Sequence, residues 1–214
     1  MPASTPVSTS KTAALSRVLD GVSRGYTHYI SGVTTADKAI AVANKFHQLY
    51  GIGCTPAQRI TRKGKGQANA LLALYWPEGA AQVHWLLLAT PGTGLIAERE
   101  KLLEVTGKPR LQWLGYELLR YGARGVTRWT WRRPKGEMAD CYVRLGEHLK
   151  RRDIGAVADI LAAIARQPGF HGVREQTWAL CQFARQRGHR EELPFLYYVQ
   201  KVSHGERLVL DPVT

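Results

Sequence analysis

Sulfur is scarce in this chain: three cysteines, Cys54, Cys141 and Cys181, and two methionines among 214 residues. The cysteines are odd in number, widely spaced and never in a CxxC pair, which argues against a disulfide framework or a zinc ribbon. Free thiols in a reducing cytoplasm are the expectation. No run approaches eighteen apolar residues, so no membrane span is predicted. Two motifs of nucleotide and DNA chemistry are also missing. Thr90-Pro-Gly-Thr-Gly94 leaves an apolar run without the GxxxxGK[ST] pattern, and its following segment opens with Glu98 and Glu100, which repel phosphate. The paired histidines of a metal-dependent nicking site fail at Leu86, two residues after His84. No other spacing gathers metal ligands, so neither a metal nor a cofactor is expected.

Acid is short where base is dense. Residues 58–135 hold fourteen Lys and Arg against five Asp and Glu, whereas 137–214 hold eleven against ten. The whole chain carries net +13, with an isoelectric point near 10. Such a field favours polyanions as partners. A hydrophobic fraction of 44% is enough for a packed core.

The first ten residues, polar and rich in Ser and Thr, are expected to be a disordered tail. Leu15, Val18, Leu19 and Val22 then share a helical face that ends near Gly25. Gly25 to Ser31 alternates as a strand, Thr34 offers an N-cap, and a four-turn helix closes at Gly51. Ala70 to Trp76 and Val83 to Thr90 are continuous enough to be buried strands. A short helix is expected from Ala97 to Val105. Gly115 to Tyr121 and Val126 to Arg133 read as a hairpin. From Gly136 the period becomes helical, with three apolar stripes up to Arg187, and Phe195 to Val202 is expected to return as an edge strand beside Arg207 to Leu210. The fold class is therefore α+β: a mixed or antiparallel sheet of ferredoxin-like or split α/β type, then a helical C-terminal third. The expected division is an α/β core over 11–135 and a helical region over 136–214 packed on the same domain.

Two basic segments stand out. Arg59, Arg62, Lys63 and Lys65 lie within seven residues beside Gly64 and Gly66, as a cationic turn that would reach phosphate oxygens. Arg120, Arg124, Arg128, Arg132, Arg133 and Lys135 form the second, again without an acid between them. On a strand, Arg128, Thr130 and Arg132 share one face and Trp129 and Trp131 the other. The indoles are either core or a platform on which unpaired bases stack.

The segments His84-Trp-Leu-Leu-Leu-Ala-Thr-Pro-Gly92, Gly115-Tyr-Glu-Leu-Leu-Arg120, Trp129-Thr-Trp-Arg132 and Pro168-Gly-Phe170 resemble uncharacterised proteins of conjugative plasmids and integrating elements of Gram-negative bacteria. The resemblance implies a bacterial cytoplasmic setting and DNA rather than RNA as partner; it transfers no catalytic residue. The function expected is nucleic-acid binding without catalysis. Two other classes stay open: a nickase- or nuclease-like enzyme on the same sheet, and a basic adaptor docking on a larger nucleoprotein complex.

Overall fold

A computed structural model describes residues 3–123, 125–199 and 202–212 of the chain. It contains a six-stranded mixed sheet and helices concentrated in the C-terminal part, an α+β fold. The chain divides into two compact units, one of Met1–Leu114 with Val202–Thr214 and one of Gly115–Lys201.

In the first unit, α1 (Lys11–Ser23) begins where the Ser10 hydroxyl accepts a hydrogen bond from the Ala13 N–H at 3.1 Å. Its inner face, Ala14, Leu15, Val18 and Val22, is buried, and Gly21 lets it approach the sheet: a Cβ there would stand 2.7 Å from Leu88 Cδ1. Strand β2 (His28–Thr35) leads directly into α2 (Ala36–Tyr50), one residue later than the Thr34 cap predicts. Gly51, at φ +67°, closes α2 in the left-handed conformation that glycine adopts without strain. Strands β3 (Ala70–Tyr75) and β4 (Gln82–Ala89) are antiparallel neighbours, with Leu72 opposite Leu87. Leu72, Leu74 and Leu87 pack with Ala43, Phe46 and Tyr50 of α2 in one apolar cluster.

Three expectations are corrected here. Residues 4–8 are not a tail but strand β1 (Ser4–Ser8), parallel to β3 with Val7 opposite Leu74. Its polarity hid it, because Thr5 and Ser8 are buried, with Thr5 placing its hydroxyl 3.5 Å from the Leu72 carbonyl. The helix expected over 97–105 shrinks to α4 (Leu95–Arg99), after which β5 (Leu103–Glu104) pairs with β2; sheet hydrogen bonds outcompete helix propensity there. Of the strand expected over Phe195 to Val202, residues 195–199 and 202 form none and 200–201 lie outside the described residues; the edge is β9 (Arg207–Val209), antiparallel to β1. The sheet order is β5-β2-β4-β3-β1-β9. A two-residue strand, β6 (Gln112–Trp113), lies near the end of the first stretch of this unit.

The second unit pairs β7 (Tyr116–Ala123) with β8 (Val126–Arg132), placing Leu118 opposite Trp131 and Arg120 opposite Trp129. Helices α5 (Lys135–Lys150), α6 (Ile154–Ala165) and α7 (His171–Gln186) share a core of Cys141, Leu145, Leu161, Ile164 and Leu180. The boundary expected at 135 is thus displaced: the hairpin belongs with the helices. Thr130 Oγ1 accepts the Gly172 N–H at 3.0 Å, Tyr121 stacks on His171 at 4.2 Å, and a Cβ at Gly172 would press to 2.7 Å from the Trp131 carbonyl. Among the described residues, no helix is long and apolar enough to cross a membrane.

Candidate nucleic-acid interface

The cationic segment is a helix, not a turn. Thr55 and Gln58 form a reciprocal capping box, Pro56 stands in the first turn, and α3 runs from Pro56 to Gly64. At its C-terminal end the Gly66 N–H donates to the Lys63 carbonyl and the Gln67 N–H to the Arg62 carbonyl, both at 3.0 Å, with Gly66 at φ +69°. This is a Schellman closure, and its glycines were legible while the helix before them was not. No residue of α3 is buried, and Ile60 is 73% exposed. Hydrogen bonds rather than an apolar face hold the helix. Arg62 Nη1 donates to the Tyr50 carbonyl at 2.8 Å, and Asn69 Nδ2 donates to the Arg59 carbonyl at 3.1 Å. Lys63 and Lys65 are exposed, and among the described residues neither is in an ion pair. Of the four cations predicted here, Arg62 therefore serves the fold while Arg59, Lys63 and Lys65 face outward or partly so.

Arg59 has company that was not foreseen. Arg17 Nε, on α1, donates to the Leu72 carbonyl at 2.8 Å, the same oxygen that Thr5 approaches. The Arg17 guanidinium is pushed down to about 10, first by burial and then by the charges of Arg207 and Arg59. Arg207 is anchored on β1, its Nε donating to Ser4 Oγ at 2.8 Å and Nη2 to the Ser4 carbonyl at 3.1 Å. Tyr26, 7% exposed, lies in the same field: burial raises its phenol, while Arg59, Arg24 and Arg17 draw it down. The charge felt by Arg17 from Asp20 favours its ionisation but is outweighed. Arg17 thus feels the positive charge of Arg59 and Arg207 together. The signal in the sequence was a single arginine set within the apolar stripe of α1.

The hairpin divides its predicted residues. Trp131 is fully buried and is core, not a stacking platform. Arg133 is also fully buried. Its Nε donates to Gln167 Oε1 at 2.7 Å, Nη1 to the Val173 carbonyl, and Nη2 to the Ile164 carbonyl and Thr177 Oγ1. Every guanidinium nitrogen is engaged inside the protein, so Arg133 cannot reach a phosphate. Arg132 is half-buried and bonds Glu117 at 3.0 Å across the ladder. Arg120, Arg128 and Lys135 are exposed, and the Arg120 guanidinium lies 4.7 Å from the centre of the half-buried Trp129 ring. Arg124 lies outside the described residues.

Remaining candidates resolve simply. Gly92 approaches the backbone of residues 66–68 so closely that a Cβ would meet the Ala68 nitrogen at 2.6 Å, and the Ala68 N–H donates to the Thr93 carbonyl. The Pro-Gly-Thr-Gly segment is a packing turn that braces the end of α3. His84 is half-buried beside the Tyr75 ring. Among the described residues, no three His, Cys, Asp or Glu side chains are placed to share a metal ion. Compared with protein-family models, curated proteins and solved structures, the chain gives no match.

Proposed function

We propose that this chain binds nucleic acid, in the first instance DNA of a bacterial mobile element, through phosphate contacts centred on α3. The observation that carries the reading is α3 itself, a helix with no buried residue that presents exposed Lys63 and Lys65, together with the positive charge its Arg59 adds at Arg17. Arg17 is held partly buried with Arg59 and Arg207 near enough to lower its own affinity for a proton. Crowding guanidinium groups whose repulsion the charge of Asp20 only partly offsets costs free energy, and a bound anion relieves it. Lys63 and Lys65 extend the same positive surface along a helix that contributes nothing to the apolar core. Arg120, Arg128 and Lys135 offer further phosphate contacts on the second unit. The reading requires no base-specific contact, because phosphate contacts carry most of non-specific affinity.

The test is a salt titration with labelled DNA. About five phosphate contacts give a slope near −4 to −5 in log K against log salt. Lys63→Ala with Lys65→Ala opens no cavity and should leave stability within ~1 kcal/mol. It should lower affinity about tenfold or more and flatten the slope by nearly two. Parent binding that ignores salt, or a double variant that binds as tightly as the parent, overturns the reading.

A further inference from the structure

After α7 the chain continues without helix or strand over residues 193–199, a strap held to the second unit. Both ends are pinned. Leu193 packs against the helical core, and the Val199 N–H donates to the Gly169 carbonyl at 3.3 Å. Gly169 is required beneath it, since a Cβ there would collide with the Tyr197 carbonyl oxygen. Between the pins, side chains sort in an unusual direction. Leu196 is half-buried with Leu193 and Val199, whereas Phe195, Tyr197 and Tyr198 are 69%, 62% and 68% exposed. An ordinary strap would bury its aromatic rings, because they are its largest apolar surfaces. Arg174 fixes the arrangement: its Nε donates to the Leu196 carbonyl at 3.2 Å while its guanidinium lies 3.3 Å from the centre of the Tyr198 ring. Phe195 and Tyr197 stand edge to face at 4.7 Å.

We infer that the strap is a stacking platform for unpaired nucleotides, with Phe195 and Tyr197 the rings that receive bases. The inference rests on the nucleic-acid reading above and adds a preference for single strands. Bases suit this surface because each offers a flat π face, and because a duplex keeps those faces stacked internally. The surrounding unit carries sixteen Lys and Arg against nine acids, and because arginines bonded to carbonyls and rings keep their charge, its net field still favours a polyanion even where few cations are free to touch one. Glu191 and Glu192 directly precede the strap, so its affinity should come from stacking rather than from phosphate attraction. It should therefore persist at salt that abolishes the α3 contacts.

Phe195→Ala with Tyr197→Ala tests this on the full chain, using oligothymidylate and a duplex of mixed sequence at low and high salt. Both side chains are largely solvated, so the variant should fold, as circular dichroism will verify. Single-strand affinity is expected to fall about tenfold or more, with duplex affinity changed less than about twofold. Tyr197→Phe, which keeps the ring and loses the hydroxyl, should bind as the parent does. Equal losses on single strand and duplex would overturn the platform, as would no loss on either while the parent still binds DNA. A parent that binds neither probe overturns the platform and the nucleic-acid reading together. If the double variant keeps its DNA affinity but loses self-association or a protein partner, the patch is a protein-docking surface and the inference fails.

Discussion

The two units carry almost the same charge excess and use it differently. The sheet unit has fourteen Lys and Arg against eight acids, and the helical unit sixteen against nine. In the helical unit, arginine is largely a structural residue. Arg133 ties the end of the hairpin to α6 and α7, Arg132 pairs with Glu117, and Arg185 donates to the His189 carbonyl. Arg120, Arg174 and Arg187 lie over the rings of Trp129, Tyr198 and Phe183. In the sheet unit Arg17, Arg62 and Arg207 also bond carbonyls, but Arg17 does so against the charges of Arg59 and Arg207, and Lys63 and Lys65 are exposed. A guanidinium has five donors and a flat face that suit several carbonyls and rings at once, whereas the compact, strongly hydrated ammonium groups of Lys63 and Lys65 stay in solvent. Counting cations therefore overstates the binding surface of an arginine-rich region.

The largest effect should come from removing the most engaged arginine. Arg133→Met leaves Gln167, Thr177 and the Val173 and Ile164 carbonyls without their donor, at a cost of roughly 3–5 kcal/mol to the helical unit. Chemical denaturation followed by tryptophan fluorescence will measure it. A stable Arg133→Met protein with normal packing would mean that the contrast between the units is overdrawn. Lys63→Ala is the matched change on the sheet unit and should leave the denaturation midpoint almost unmoved.

A smaller effect is expected at the closure of α3. Gly66→Ala meets no neighbouring atom but forces a side chain into positive φ, so it should cost about 1 kcal/mol. DNA affinity should drop with it if the orientation of α3 matters. Unchanged affinity in a destabilised variant would assign the contacts to cations outside α3, such as Arg17 and Arg207.

The smallest effect is a pH dependence that each unit carries separately. His47 and His189 are both buried and held below the ordinary histidine range, chiefly by burial and then by Arg62 and Arg185 respectively. A depressed folded pKa means that the unfolded chain binds the proton first. The stability these residues contribute is present above about pH 6.5 and is lost as pH falls through that value toward the folded pKa. In the sheet unit the loss has a visible cause, since His47 Nδ1 accepts the Gly53 N–H at 3.2 Å and protonation removes that acceptor. His47→Gln should flatten the acid side of the stability curve of the sheet unit and leave that of the helical unit alone. Melting curves between pH 7 and 5 that are identical for parent and variant would exclude the role.

Much of this molecule is determined by local pattern. Continuous apolar runs marked β3 and β4, since a strand buried on both faces needs nothing else. The stripes after Gly136 marked α5, α6 and α7, and alternation around Trp129 marked the hairpin but not that Thr130, on its arginine face, is buried against α7. Gly51 announced a helix end because glycine takes its left-handed conformation easily, whereas Gly66 announced only a turn. What the tertiary structure alone decided were the elements with weak local signals. Strand β1 is polar and exists because β3 and β9 supply its hydrogen bonds. Helix α3 has no apolar face to detect and is held by Arg62 and Asn69 reaching carbonyls outside it or within it. The fate of each arginine was likewise undetermined by sequence. Whether a guanidinium ends on a carbonyl, a ring, a carboxylate or another cation depends on partners distant in the chain, as Arg133 with Gln167 and Arg17 with Arg207 both show.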